Sequence, residues 1–214
     1  MKETASASSA ESRVPPFIAV VAVGGIYLAL PEKLVVGPRW LFPALVAVLL
    51  AATVIAHRLG YHRLDRALGY VLSTTVTIGL VVSLALLITA LPSRQEQPLE
   101  LLRSAAALWV TNVLVFALWY WRLDAGGPHR REARTHHAEG AFFFPQMMQG
   151  APGGSRAWSP GFVDYLFVAF NTSTAFSPTD TPVLSRWAKI LSMLQALISL
   201  AVVAILAARA VGML

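Results

Sequence analysis

Residues 67–91 read ALGYVLSTTVTIGLVVSLALLITAL, with no charged side chain from end to end. An α-helix rises ~1.5 Å per residue and bilayer hydrocarbon is ~30 Å thick, so roughly 20 apolar residues can cross it. This run is long enough, which makes the chain an integral membrane protein. Within the run, Gly69, Ser73 and Thr77 recur every four residues. On a helix they form one stripe of small side chains, where a second helix can approach closely.

Four more apolar blocks flank it. A span is expected at 15–30, opening on Pro15 and closing before Pro31, and another at 40–56, led by Trp40 as an interfacial anchor. The basic loop 57–66 separates this second span from the third. A fourth span, 99–121, ends in Trp119-Tyr120-Trp121 before Arg122, the pattern of an aromatic belt at the membrane surface. A fifth block, 183–214, is long enough to span with residues to spare. The expectation is an all-α integral membrane protein with about five transmembrane helices. Residues 1–14 read as a flexible polar tail. The block after it lacks the basic flank and small-residue cleavage site of a signal peptide.

Composition agrees: 56% of residues are hydrophobic and only 13% charged, too few charges to cover a soluble domain of this size. The net charge of +6 sits mainly at block edges, where basic residues fix orientation and meet anionic lipid. No basic face with interleaved aromatics is present, so nucleic acid is not an expected partner. With no cysteine, the chain has no disulfide, thiolate nucleophile or cysteine metal site. Phosphate-cradling, dinucleotide and Gly-x-Ser-x-Gly motifs are missing as well, and no enzyme activity is expected. His129, His136, His137 and Glu139 lack the i, i+4 spacing of helical metal ligands. They read as solvated loop charge, so neither a metal nor a cofactor is expected.

The last third carries the functional information. A long loop, 123–160, holds Gly126-Gly127-Pro128 and the apolar elements Phe142-Phe143-Phe144-Pro145 and Met147-Met148. Those apolar elements touch the membrane surface or fold back on the helices. Block 161–176 is too short to span comfortably, and a Ser-Pro-Thr-Asp segment follows it. It reads either as a re-entrant half-helix with a return segment, the preferred reading, or as a short sixth span. Non-helical backbone at membrane depth needs protein or water around it.

From Asp164 to Arg209 the sequence resembles the pore module of the two-helix potassium-channel superfamily. Phe170-Asn171-Thr172-Ser173-Thr174 falls on the end of the pore helix, Ala175-Phe176-Ser177-Pro178-Thr179-Asp180 on the filter, and Leu194-Gln195-Ala196-Leu197 within the inner helix. The chain is also similar to uncharacterised bacterial multi-pass membrane proteins that carry this module after an aromatic helix end, a Gly-rich loop and a Phe-Pro element. The resemblance implies a pore-like module over 92–214, with outer helix 99–121, half-helix 161–176 and inner helix 183–214. It also implies a bacterial plasma membrane, a homo-oligomer (a tetramer if channel-like) and monovalent ions. The filter departs from the pattern. Ser177 and Thr179 replace two glycines whose backbone freedom the carbonyl rings need, and Pro178 replaces a tyrosine. A potassium-selective filter is therefore not expected. Thr172, Thr174, Ser177, Thr179 and Asp180 can line a less selective path, or can simply cap and close a turn.

On the inner helix Ser185, Ala188, Ser192, Gln195 and Ser199 are spaced 3, 4, 3 and 4 apart. Such a stripe lines a pore or, by default, forms a close helix contact. Gln195 is an amide in hydrocarbon and needs partners; Asn112, mid-way along the fourth span, has the same need and is a candidate partner. No charged residue lies in the middle of a confident span, which argues against a proton pump or ion-coupled transporter. Orientation is contested. Channel resemblance brings the half-helix in from outside, whereas the basic loops 57–66 and 123–160 prefer the cytoplasm. The charge bias is followed here, with the amino terminus and the long loop cytoplasmic; a miscounted first helix would remove the conflict.

Overall fold

A computed structural model describes residues 11–90, 98–132, 140–148, 158–174 and 180–211. The helices are α1 (Val14–Ala29), α2 (Leu41–Arg58), α3 (His62–Ala90), α4 (Pro98–Leu123), the single turn α5 (Pro128–Glu132), α6 (Phe162–Thr174) and α7 (Arg186–Val211). No strand occurs among the described residues; one isolated antiparallel bridge joins Phe142 to Val183. Four helices, α2, α3, α4 and α7, are long and apolar enough to cross a membrane. At 16 residues, α1 is apolar but shorter.

Helix formation follows from simple causes. Pro15 and Pro16 open α1, where the missing N–H costs nothing. Pro31 follows the cap and stops it. One face of α1 buries Ala19, Val20, Val23 and Tyr27 while Phe17, Ile18, Val21 and Leu28 stay exposed. A helix apolar on all sides suits lipid outside and protein inside. The buried side of α3 likewise repeats every three or four residues through Gly69, Ser73, Val76, Leu80, Leu84 and Leu87.

At the centre of the bundle lies α4, packed against α1, α3, α6 and α7. The small stripe of α3 faces it: Trp119 Nε1 donates to Thr77 Oγ1 at 2.9 Å. A side chain at Gly69 would collide with the Arg122 guanidinium. Farther along α3, Gly79 makes room in the same way for the Phe42 ring of α2.

Contacts also define the two ends. Glu11 meets Trp121 and Arg131, His57 and Asp65 meet His129, and Phe142 meets Val183. So the start of α1, the α2–α3 turn, the close of α4 and the start of α7 share one end. Tyr27, Phe42 and Leu80 gather towards the other. Along α7, Ser192 lies by Tyr120 and Ser199 by Trp109, so α7 runs antiparallel to α4. Along α6, Ala169 lies by Gln195 and Ser173 by Ser199. Thus α6 runs parallel to α7, and both start from the same end.

Several boundaries differ from the sequence expectations. The basic loop 57–66 is mostly helix: the turn is only Leu59–Tyr61, with Gly60 at φ +75°, and Arg63 and Arg66 ride on α3. Charge ends an apolar run but does not end a helix that continues past the hydrocarbon. The described residues of the loop 123–160 likewise include helix. They contain α5, a short 3-10 turn at Asp124–Gly126, and a clip in which Phe143 N–H donates to Pro182 O (3.0 Å) and Leu184 N–H to Ala141 O (2.7 Å). Residues 11–13 of the expected tail are held through Glu11. Nor do the aromatics at the close of α4 form a belt. Tyr120 and Trp121 are buried because α6, the clip and the amino-terminal residues cover them.

Candidate functional sites

The first site lies mid-bundle, where α4, α6 and α7 meet. Gln195, fully buried, donates through Nε2 to Ala169 O and to Ser173 Oγ, both at 2.7 Å, and accepts from Tyr120 O–H at 2.6 Å. Asn112 Nδ2 donates to the Gln195 carbonyl at 3.2 Å and lies 3.5 Å from Ser173 Oγ. Ser199 Oγ donates to Ser173 O at 2.5 Å and accepts from Trp109 Nε1 at 3.0 Å. A helix leaves its last carbonyls without partners. Here the end of α6 is served by hydroxyls: Ser199 bonds Ser173 O, and Thr174 Oγ1 bonds Asn171 O at 3.0 Å. Polar groups that would be costly in hydrocarbon are thereby satisfied. The exception is Asn112 Oδ1, buried with no partner among the described residues.

These contacts locate the residues singled out from sequence. Asn112, Ser192, Gln195 and Ser199 come together around Ser173 and Tyr120, facing the inside of the chain. Thr172 and Thr174 are half-buried, and both hydroxyls bond carbonyls of α6 itself. Asp180 is exposed. Ser177, Pro178 and Thr179 lie outside the described residues, as do His136, His137 and Glu139.

A second polar knot closes the bundle end. Asp124, with no exposure, accepts from the Ala141 N–H and from Tyr165 O–H (2.6 Å). Arg131 donates to Trp121 O (2.8 Å) and Asp124 O (3.0 Å), pairs with Glu11 and stacks over the Tyr165 ring. This ties α4, α6, the clip and the residues before α1 to one another. Gly126 and Gly127, at φ +81° and +92°, make the turn that brings Arg131 back. Sequence reading missed this knot, because an acid and one of several arginines in a basic loop look solvated.

The third site is a cavity of about 520 Å³ on the other side of α4, lined by residues of α1, α2, α3 and the α4–α5 turn. At its polar edge His57 Nδ1 lies 3.3 Å, and His129 Nε2 2.5 Å, from the same oxygen, Asp65 Oδ2. The His62 ring lies tilted against His129, with ring centroids 4.7 Å apart. His129 is therefore packed against a partner rather than solvated in a loop. The three ligand atoms lie within 4.8 Å of one another, and two imidazoles with a carboxylate are a chemically competent metal set. The surroundings oppose a cation. Arg13, Arg58, Arg66 and Arg122 line the same cavity against the single carboxylate Asp65, so a dication would add charge to a site already positive. The only positional hint in the sequence was the clustering of basic residues at the block edges.

No family model matches this chain, and neither a curated protein nor a solved structure does.

Proposed function

We propose that the chain is a channel-related protein of a bacterial plasma membrane rather than an enzyme. In this reading residues 92–214 form a pore-loop module that acts as a homo-oligomer, a tetramer if the module closes around an axis. The observation that carries it is the parallel course of α6 and α7. A helix of 13 residues enters from one end, stops beside Asn112 at mid-depth, and the next helix starts again from the end it entered. That is the course of a re-entrant half-helix, whose return segment needs shielding by protein or water. The carboxyl end of α6 brings the negative pole of its dipole to mid-depth, which favours cations over anions. Without glycines at 177 and 179 the path would not be potassium-selective.

The test is ion flux from purified protein in liposomes, with monovalent cations and anions compared. Cation flux is expected, with altered selectivity in Asp180→Ala and Ser177→Ala. Folded, inserted protein that passes none of these ions would overturn the channel reading.

A second reading, a non-conducting scaffold or partner subunit, is favoured by one specific observation. Gln195 and Ser199 are buried against α4 and α6, and Ser192 lies by Tyr120, whereas α7 exposes Ile190, Met193, Leu197 and Leu200. That surface suits lipid or another helix rather than water. A monomer in mild detergent would favour this reading, and a symmetric oligomer the channel.

A further inference from the structure

We propose that the cavity beside α4 binds an anionic phospholipid from the surrounding bilayer. Arg122, Arg66 and Arg58 would hold its phosphate, and Phe17, Val20 and Val54 one acyl chain. The proposal is independent of the pore module and rests on three observations.

The first is the two-part lining. Guanidiniums cluster at the bundle end, and below them the walls supplied by α1 and α2 are apolar. A cavity of about 520 Å³ is in the range of roughly 300–1,000 Å³ that takes a small organic ligand or part of a lipid. The second is its mouth. Val14 and Phe17 line the cavity yet are 61% and 44% exposed, so it opens sideways, where hydrocarbon surrounds a membrane helix. A free anion has no use for an apolar limb, and a purely apolar ligand has no use for the arginines.

The third observation is Arg122. Its side chain lies across α3 in the space that Gly69 leaves by having no side chain. Its Nε is buried and has no hydrogen-bond partner among the described residues. The nearby carboxylate, Asp65, already serves two imidazoles. The Arg122 guanidinium lies 5.4 Å from the centroid of the Trp121 ring and in the field of Asp65, and its five N–H donors form a fork that matches phosphate. A net-anionic headgroup satisfies it, whereas a choline headgroup would bring a second cation among the arginines. The cavity also lies at the basic end of the bundle, which the positive-inside rule assigns to the leaflet side rich in anionic lipid.

Native mass spectrometry of the full chain in mild detergent tests this, with phosphatidylglycerol, phosphatidylcholine and inorganic phosphate as probes. Phosphatidylglycerol should be retained and phosphatidylcholine not. Arg58→Gln with Arg66→Gln, both at the accessible rim, should weaken retention roughly 10- to 30-fold. Val54→Trp, which fills the apolar limb, should also weaken it while leaving the arginines intact. Three results would overturn the proposal: equal retention of both lipids, unchanged retention in both variants, or inorganic phosphate binding with the same affinity as phosphatidylglycerol.

Discussion

Gln195 uses every hydrogen-bonding atom of its amide inside one chain, donating to Ala169 and Ser173 and accepting from Tyr120. An interhelical hydrogen bond in a membrane is worth ~0.6–2 kcal/mol, and a buried polar atom left unpaired costs about 1–3 kcal/mol. Gln195→Leu removes one partner from Tyr120 and one from Ser173. The expected loss of stability is therefore about 1–3 kcal/mol, read from unfolding in mixed detergent micelles. Unfolding that coincides with the wild type would mean that these bonds do not hold α6 to α7. Gln195, Ser199 and Asn112 could be named from the sequence, because an amide or a regular hydroxyl spacing in an apolar block is visible there. Ser173 and Tyr120 could not be assigned to the same cluster. Their burial depends on where α6 lies, and Tyr120 reads locally as an interface aromatic. The pairing of Asp65 with His57 and His129 was equally hidden, since 64 residues separate Asp65 from His129.

Among the elements, the long helices were legible because block length alone separates a membrane helix from a shorter one. Their ends were not. α3 starts at His62, five residues before the apolar run, because backbone hydrogen bonding carries the helix on beyond the hydrocarbon. Least legible were the short elements: α5 and the Phe142–Val183 clip have no period to read. What the sequence offered was the apolar character of Phe142 and Phe144. Both fold back, their rings meeting Tyr165 at centroid distances of 6.0 and 5.5 Å. Aromatic burial of this kind anchors the loop before α6 to α6 itself.

At the scale of the whole molecule, the bundle assigns surface residues to its two ends, and the absence of cysteine makes that assignment directly testable. Val36, Leu59 and Leu184 are all more than half exposed. Single cysteines at 59 and 184 should react with an impermeant maleimide from one side of the membrane, and a cysteine at 36 only from the other. Because Arg13, Arg58, Arg63, Arg66, Arg130 and Arg131 lie on elements at the end shared by 59 and 184, that side should be the cytoplasm. Labelling of all three from one side would contradict the arrangement of α1 to α3. Labelling of 59 and 184 from outside would leave the bundle intact but reverse its orientation, the direction that channel resemblance favours.

The dependence of α6 on α7 has a consequence for how the protein is made. Domains form as the chain is synthesised, amino-terminal parts first, yet the groups that satisfy the buried end of α6 belong to Gln195 and Ser199, which leave the ribosome later. At 13 residues α6 is too short to be inserted as a span of its own. We therefore expect it to wait in the aqueous compartment until α7 has entered the membrane, and only then to slide into place. A chain truncated after residue 185 and released from the ribosome should leave residues 158–174 open to protease, whereas the full-length chain should protect them. Protection already present in the truncated chain would mean that α4 alone can seat the half-helix.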